Sequence, residues 1–181
     1  MRRRFPVLLA GVMALTIGLA VQVAAQTVTK ETVPGVTNFA RVETTIACAG
    51  ATTPAALAGL KKMGYASVVN LRLASEPGAD VDAEAAAAKV AGINYVYLPF
   101  NAAAPDPAVV DGFLKAVTDR NNQPAFVHCA SGNRAAAMWM VKRMLVDKWD
   151  AERASTEASA LGLTSSALKT FALEYVQAHK Q

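Results

Sequence analysis

Beyond residue 26, apolar positions switch between helical spacing and the short runs of strands. Asn38–Ala47 alternates enough to supply one or two short strands. Thr53–Met63 (TPAALAGLKKM) has helical spacing, with Thr52 or Thr53 placed to cap its start and Gly64 its end. Ala66–Leu73 (ASVVNLRL) is strand-like and runs into the turn-forming Glu76-Pro77-Gly78. Asp82–Val90 reads as an alanine-rich helix closed by Gly92, Ile93–Leu98 as a strand, and Asp106–Asp119 as an amphipathic helix. Pro124–His128 is a short buried strand, and three helices follow at about Arg134–Asp147, Asp150–Ala160 and Ser165–His179. Trp139 and Met140 fall at core positions of the first of these. Strands alternating with helices predict an α/β fold, a single domain with a central parallel or mixed sheet flanked by helices. In such sheets ligands bind beyond the carboxyl ends of the strands, and Cys129 sits at one of those ends.

The start of the chain has a different character. Arg2, Arg3 and Arg4 precede an apolar stretch from Val7 to about Val23, and small residues follow through Ala25. That order predicts a secretory signal peptide over residues 1–25, with no stable membrane anchor once it is cleaved and an exported, periplasmic product. Residues 26–37 are expected to be a flexible lead-in, and residues 38–181 the folded domain. Setting aside the three leader arginines reduces the 18 basic residues to 15, against 14 acidic, so the mature chain carries no excess charge that would point to nucleic acid. Cys48 and Cys129 are the only cysteines and His128 and His179 the only histidines, too few at such separations for a zinc site; neither metal nor cofactor is expected.

The densest chemistry lies in AFVHCASGNRAAAMWM, Ala125–Met140. A strand ending in Cys129, a turn through Gly132 and a helix opening near Arg134 converge backbone N–H groups on one point, where they attract an anion and favour a thiolate. Ala130, Ser131, Gly132, Asn133 and Arg134 are therefore candidate anion-binding residues, for a phosphate or a sulfur oxyanion, Arg134 adding a planar fork for two of its oxygens. Successive strand side chains face opposite ways, so His128 is not placed to be the base for Cys129. It is expected to be buried with its ring hydrogen-bonded behind the loop, and His179 to be solvated.

VHCASGNR resembles the phosphate-binding loop of the cysteine-dependent phosphatase superfamily, His-Cys, five residues, then Arg. GYASVVNLRLASEPG resembles the segment of dual-specificity phosphatases in which a strand ends in Leu-Arg and is followed by Glu, and INYVYLPF and VVDGFLKAV fall in the family's order. The chain is most similar to the bacterial phosphatase-like domain of beta-lactamase-hydrolase-like proteins. The resemblance implies a dual-specificity-phosphatase-like fold and hydrolysis of a phosphate ester on a phosphorylated small molecule or phosphoprotein. It implies Cys129 as nucleophile, Arg134 as the oxygen-binding arginine and Asp106 as general acid, although Asp106 before Pro107 is also an ideal helix cap. Asp111 is a lesser candidate for the acid, and Arg72 and Glu76 read as a structural ion pair behind the site. Two departures stand out: only four residues separate Cys129 from Arg134, and Ala135 occupies a position usually held by Ser or Thr. They keep open a sulfurtransferase carrying a persulfide on Cys129 and a non-catalytic anion- or protein-binding module. Cys48, in a segment that related phosphatases run close to the catalytic loop, is a possible redox partner of Cys129.

Overall fold

A computed structural model describes residues 27–42 and 44–179. The leader expected over residues 1–25 lies outside the described residues. One sheet of six strands organises the molecule, in the order β1-β2-β3-β6-β4-β5. The strands are β1 (Val28–Lys30), β2 (Ala40–Val42), β3 (Ile46–Ala49), β4 (Ser67–Asn70), β5 (Asn94–Tyr97) and β6 (Ala125–His128). β1, β2 and β3 pair antiparallel, while β3, β6, β4 and β5 run parallel, so of the two expected forms the sheet takes the mixed one.

The helices are α1 (Leu57–Lys62), α2 (Val81–Ala91), α3 (Pro107–Thr118), α4 (Asn133–Leu145), α5 (Ala151–Leu161) and α6 (Ser166–His179). Their ends follow local chemistry. Asp80, Asp106 and Asp150 each accept a backbone N–H at a helix start, and Gly92 and Gly162 close α2 and α5 in the left-handed conformation. The expected helix over Thr53–Met63 begins instead as a 3-10 turn, Pro54–Ala56, and Thr53 caps it without a side-chain hydrogen bond. The hydroxyl of Thr52 turns away to the Gly50 carbonyl.

Each face of the sheet has its own core. On one side Val69, Val127, Cys48 and Cys129 pack with Phe113 and with Met138 and Met140 of α4. On the other, Val68 and Phe126 pack with Leu57, Leu60 and Ala88 of α1 and α2. Of the parallel strands, β3, β4 and β6 are buried on both faces, which is why they read as largely apolar runs, while the edge strand β5 is partly exposed. α4 is buried from Ala135 through Met144, with Trp139 and Met140 in the core as its sequence predicts.

The lead-in expected over residues 26–37 is corrected by the structure. Val28–Lys30 adds an antiparallel edge strand to β2, Val33 is buried, and Val36 bridges Thr52. A three-residue edge strand with two exposed side chains has no alternation to detect, so its pairing rests on backbone bonds that the side-chain pattern does not report.

Candidate functional site

β6 lies in the middle of the sheet and ends at His128, so the next residues emerge at the carboxyl edge between β3 and β4. Cys129 and its loop close there. Gly132 takes φ 99°, a left-handed conformation that side chains resist, and caps α4. The turn directs the Gly132 N–H onto Cys129 Sγ at 3.1 Å. The loop carbonyls are drawn outward: Ala51 N–H donates to Ala130 O at 2.9 Å and Asn38 Nδ2 to Ser131 O at 3.2 Å. The N–H groups of Ala130 and Ser131 have no acceptor among the described residues, and those of Asn133 and Arg134 open α4, where a helix has none of its own to offer. The positive end of α4 therefore faces the loop. Cys129 itself is 0% exposed.

Arg134 is held by three residues from two segments. Its Nη1 donates to Glu76 Oε1 at 2.6 Å and to the carbonyls of Leu71 and Phe100, and its Nη2 donates to Glu76 Oε2 at 2.8 Å. This end-on pairing leaves the Nε–H and the outer Nη2–H, the side-on fork, unused by Glu76, and the guanidinium also interacts with the Cys129 sulfur. Burial alone would ease deprotonation of this guanidinium; the Glu76 bonds and the nearby Cys129 sulfur outweigh it and tighten its hold on the proton.

Glu76 is the residue that the sequence placed in a lesser role. Its pair with Arg72 exists, at 3.3 Å, but the shorter bonds run to Arg134. Arg72 is anchored chiefly on the carbonyls of Gly78 and Pro77. Although burial pushes the Glu76 carboxyl upward, the hydrogen bonds from Arg134 and the Leu73 N–H, with the Arg134 charge and Arg72, bring it down to about 2. Glu76 is thus an orienting carboxylate of the site. The LRLASEPG segment that carries it was the available signal.

Two other candidates are committed elsewhere by their side chains. Asn133 commits its Oδ1 to the N–H groups of Thr164 (2.7 Å) and Ser165 (2.8 Å), while its Nδ2 donates to Ser131 Oγ at 3.3 Å. Asp106 is exposed and caps α3, accepting from Ala108 N–H at 2.9 Å. Its loop begins at Phe100, whose carbonyl touches Arg134. Asp111 accepts from Tyr175 Oη at 2.9 Å. Ser131 is exposed at the loop's outer edge, and with Asn133 it walls a cleft of about 540 Å³ that continues to Lys30, Asn38 and Thr164.

Cys48 and Cys129 are both free, buried thiols. Cys48 pairs in register with Val127, two residues before Cys129 on the neighbouring strand. One interstrand spacing and two strand rises put their Cα atoms about 8 Å apart, beyond the roughly 7 Å a disulfide spans. Burial first, then the neighbouring Cys129 charge, pushes the Cys48 thiol well above its ordinary range. His128 faces the opposite core, stacked on Phe126. Its Nε2 lies 2.7 Å from Glu84 Oε1 but out of alignment for a hydrogen bond, and its Nδ1 has no partner, so the ring bonding expected behind the loop is replaced by a close contact. No group of three His, Cys, Asp or Glu side chains comes together among the described residues.

Residues 38–146, more than half of the chain, match the family described as the beta-lactamase hydrolase-like protein, phosphatase-like domain. The beta-lactamase hydrolase-like protein of Xylella fastidiosa (strain Temecula1) is 32% identical over 105 residues, which are 56% of this chain and 23% of that protein. The chain therefore spans about a quarter of the length of that curated relative. Among solved structures, a DUF442 protein of Shewanella putrefaciens CN-32 superposes with a TM-score of 0.67 at 20% identity, covering 80% of this chain and 89% of that one. P. aeruginosa TpbA gives 0.64 at 22% identity, covering 87% and 92%. The core catalytic domain of the S. cerevisiae PP-IP phosphatase SIW14 gives 0.65 at 18% identity, covering 80% and 88%. At such identities these likenesses establish the fold, and the fold is that of the dual-specificity-like, cysteine-based phosphatases. With its Cys129 loop at the carboxyl edge of that sheet, the chain belongs to the phosphatase-like domain family of beta-lactamase hydrolase-like proteins.

Proposed function

We propose that this protein is an exported, periplasmic, cysteine-dependent hydrolase of phosphate esters. The observation that carries the reading is the Gly132 N–H aimed at Cys129 Sγ within a loop whose remaining amides are unspent, beside an arginine held end-on by Glu76 and directed at the same sulfur. A phosphoryl group seated there would have its equatorial oxygens on the loop N–H groups and the Arg134 fork. Cys129 thiolate would attack phosphorus, forming the P–S bond as the ester P–O bond breaks, and Asp106 would hand its proton to the leaving oxygen. Water would then cleave the P–S bond and release phosphate and the thiolate. Support from relatives lies in what they bind: a cysteine-to-serine TpbA variant holds pTyr, and SIW14 is a PP-IP phosphatase. A phosphorylated small molecule or phosphoprotein is the matching substrate class. Export rests on the leader over residues 1–25.

The test sets an aryl phosphate against thiosulfate plus cyanide, with the mature wild-type chain and Cys129→Ser. Phosphate release that disappears in Cys129→Ser, while that variant still binds inorganic phosphate, is the expected result. Thiocyanate formation without phosphate release would replace the phosphatase with the sulfurtransferase. Phosphate binding without either turnover would leave the anion-binding module.

A further inference from the structure

We infer that Asn38 is a positioning residue of the Cys129 loop: its side-chain amide locks the Ser131–Gly132 peptide in the orientation that delivers the Gly132 N–H to the nucleophile. The inference rests on the proposed role of Cys129 as nucleophile and adds what holds its loop in the reactive form.

In a trans peptide the carbonyl and the following N–H point to opposite sides. The Gly132 N–H points inward at Cys129 Sγ, so the Ser131 carbonyl must point outward, and there it meets Asn38 Nδ2 at 3.2 Å. The neighbouring peptide is treated the same way. Ala51 N–H takes the Ala130 carbonyl at 2.9 Å, which turns the Ser131 N–H toward the anion site. Glycine rotates most easily of all residues, so the Ser131–Gly132 peptide is the one in the loop most able to flip. A flipped peptide would aim a carbonyl dipole at the thiolate and remove its hydrogen-bond donor.

Asn38 is itself held. Thr37 N–H donates to Ala51 O at 2.9 Å and Gly50 N–H to Thr37 O at 2.7 Å, so the segment that presents Asn38 is tied to the segment that holds Ala130. Asn38 sits at φ 52°, a left-handed conformation that asparagine tolerates better than other side chains. The two requirements select one residue type: a short side chain that accepts positive φ and ends in an N–H donor. Asn38 touches neither the sulfur nor the arginine; it acts through the peptide.

Asn38→Gly keeps the backbone conformation and deletes the donor. Asn38→Asp keeps shape and φ but sets a carboxylate against the Ser131 carbonyl. Arg134, Glu76 and Cys48, the other ionisable groups around the thiol, are unchanged in both. The pH dependence of Cys129 alkylation by iodoacetamide, followed on the Cys129 peptide by mass spectrometry, reads the thiolate without any phosphate chemistry. The expected result is a profile displaced to higher pH and alkylation at pH 7 slowed roughly fivefold in Asn38→Gly, the size of one lost hydrogen bond, with Asn38→Asp slower still. Thermal melting shows whether each variant is folded; if Asn38→Gly is not, Asn38→Asp gives the reading. With an aryl phosphate, kcat should fall more than KM rises. A wild-type alkylation profile in a folded Asn38→Gly or Asn38→Asp would overturn the inference. A wild-type chain that hydrolyses no phosphate ester would instead overturn the phosphatase reading, while the alkylation result would still decide the role of Asn38.

Discussion

At the scale of single residues, the site depends on a carboxylate that does no chemistry. Glu76 uses both oxygens on Arg134, which fixes the guanidinium plane beside the Cys129 loop. Glu76→Gln keeps the shape but replaces one acceptor oxygen with a donor, so one of the two bonds is lost. A roughly tenfold drop in kcat/KM, about 1.4 kcal/mol, is expected. The same residue makes stability depend on acid. Its folded-state carboxyl is depressed to about 2, so its stabilising contribution is complete above the ordinary carboxylate range and is lost as pH falls from that range through about 2. The wild-type melting temperature should decline over that interval, and Glu76→Gln should decline less steeply. For Asp106, asparagine is as good a helix cap as aspartate but donates no proton to a leaving group. Asp106→Asn should leave the melting temperature unchanged. It should cut hydrolysis of alkyl phosphates by roughly 10²-fold or more while sparing a nitrophenyl phosphate. An equal effect across a leaving-group series would reduce Asp106 to a cap.

At the scale of elements, the loop is braced from two directions. On one side Asn38 and Ala51, from the segments before β2 and after β3, hold its carbonyls. On the other, Asn133 in the first turn of α4 accepts the N–H groups of Thr164 and Ser165 just before α6. Asn133→Ala would leave those two N–H groups to water and detach the α5–α6 connection from the loop. A loss of about 1–3 kcal/mol is expected in urea unfolding, with faster hydrogen exchange at Thr164 and Ser165. Exchange unchanged at both amides would show that the brace carries no load. Beyond this contact α4 is fixed by a lattice of charge on aromatic surface. Glu157 of α5 accepts Trp139 Nε1 and Arg143 Nε, each at 2.7 Å, and Arg143 stacks over Trp139 and Trp149. The helix that presents Arg134 at its first turn is thereby pinned at its far end as well.

At the scale of the whole molecule, two cores share one sheet, and the loop stands where the central strand leaves it. Phe126 on β6 belongs to one core and Met138 on α4 to the other, and both are fully buried. Phe126→Ala should cost about 3–5 kcal/mol and Met138→Ala about 2–5. Because the sheet is common to both cores, each should lower the same single unfolding transition, checked by comparing near- and far-ultraviolet circular dichroism melts. Two separate transitions would show that the faces fold independently. Local pattern by itself determined the order of strands and helices from β2 onward, the caps at Gly92 and Asp106, and the strand–turn–helix that carries Cys129. Each depends on residues adjacent in the chain: periodicity, a glycine at positive φ, a capping side chain. Only tertiary structure decided that Glu76 turns to Arg134, 58 residues away, rather than mainly to Arg72, and that Asn38 reaches Ser131 across 93. It alone placed Val28–Lys30 on the sheet edge, tied the Asn133 side-chain oxygen to Thr164 and Ser165 and set Cys48 diagonally from Cys129. The physical reason is common to them all. A polar side chain's partner is whichever group the packed cores bring within hydrogen-bond reach, and a short sequence window carries no record of that distance.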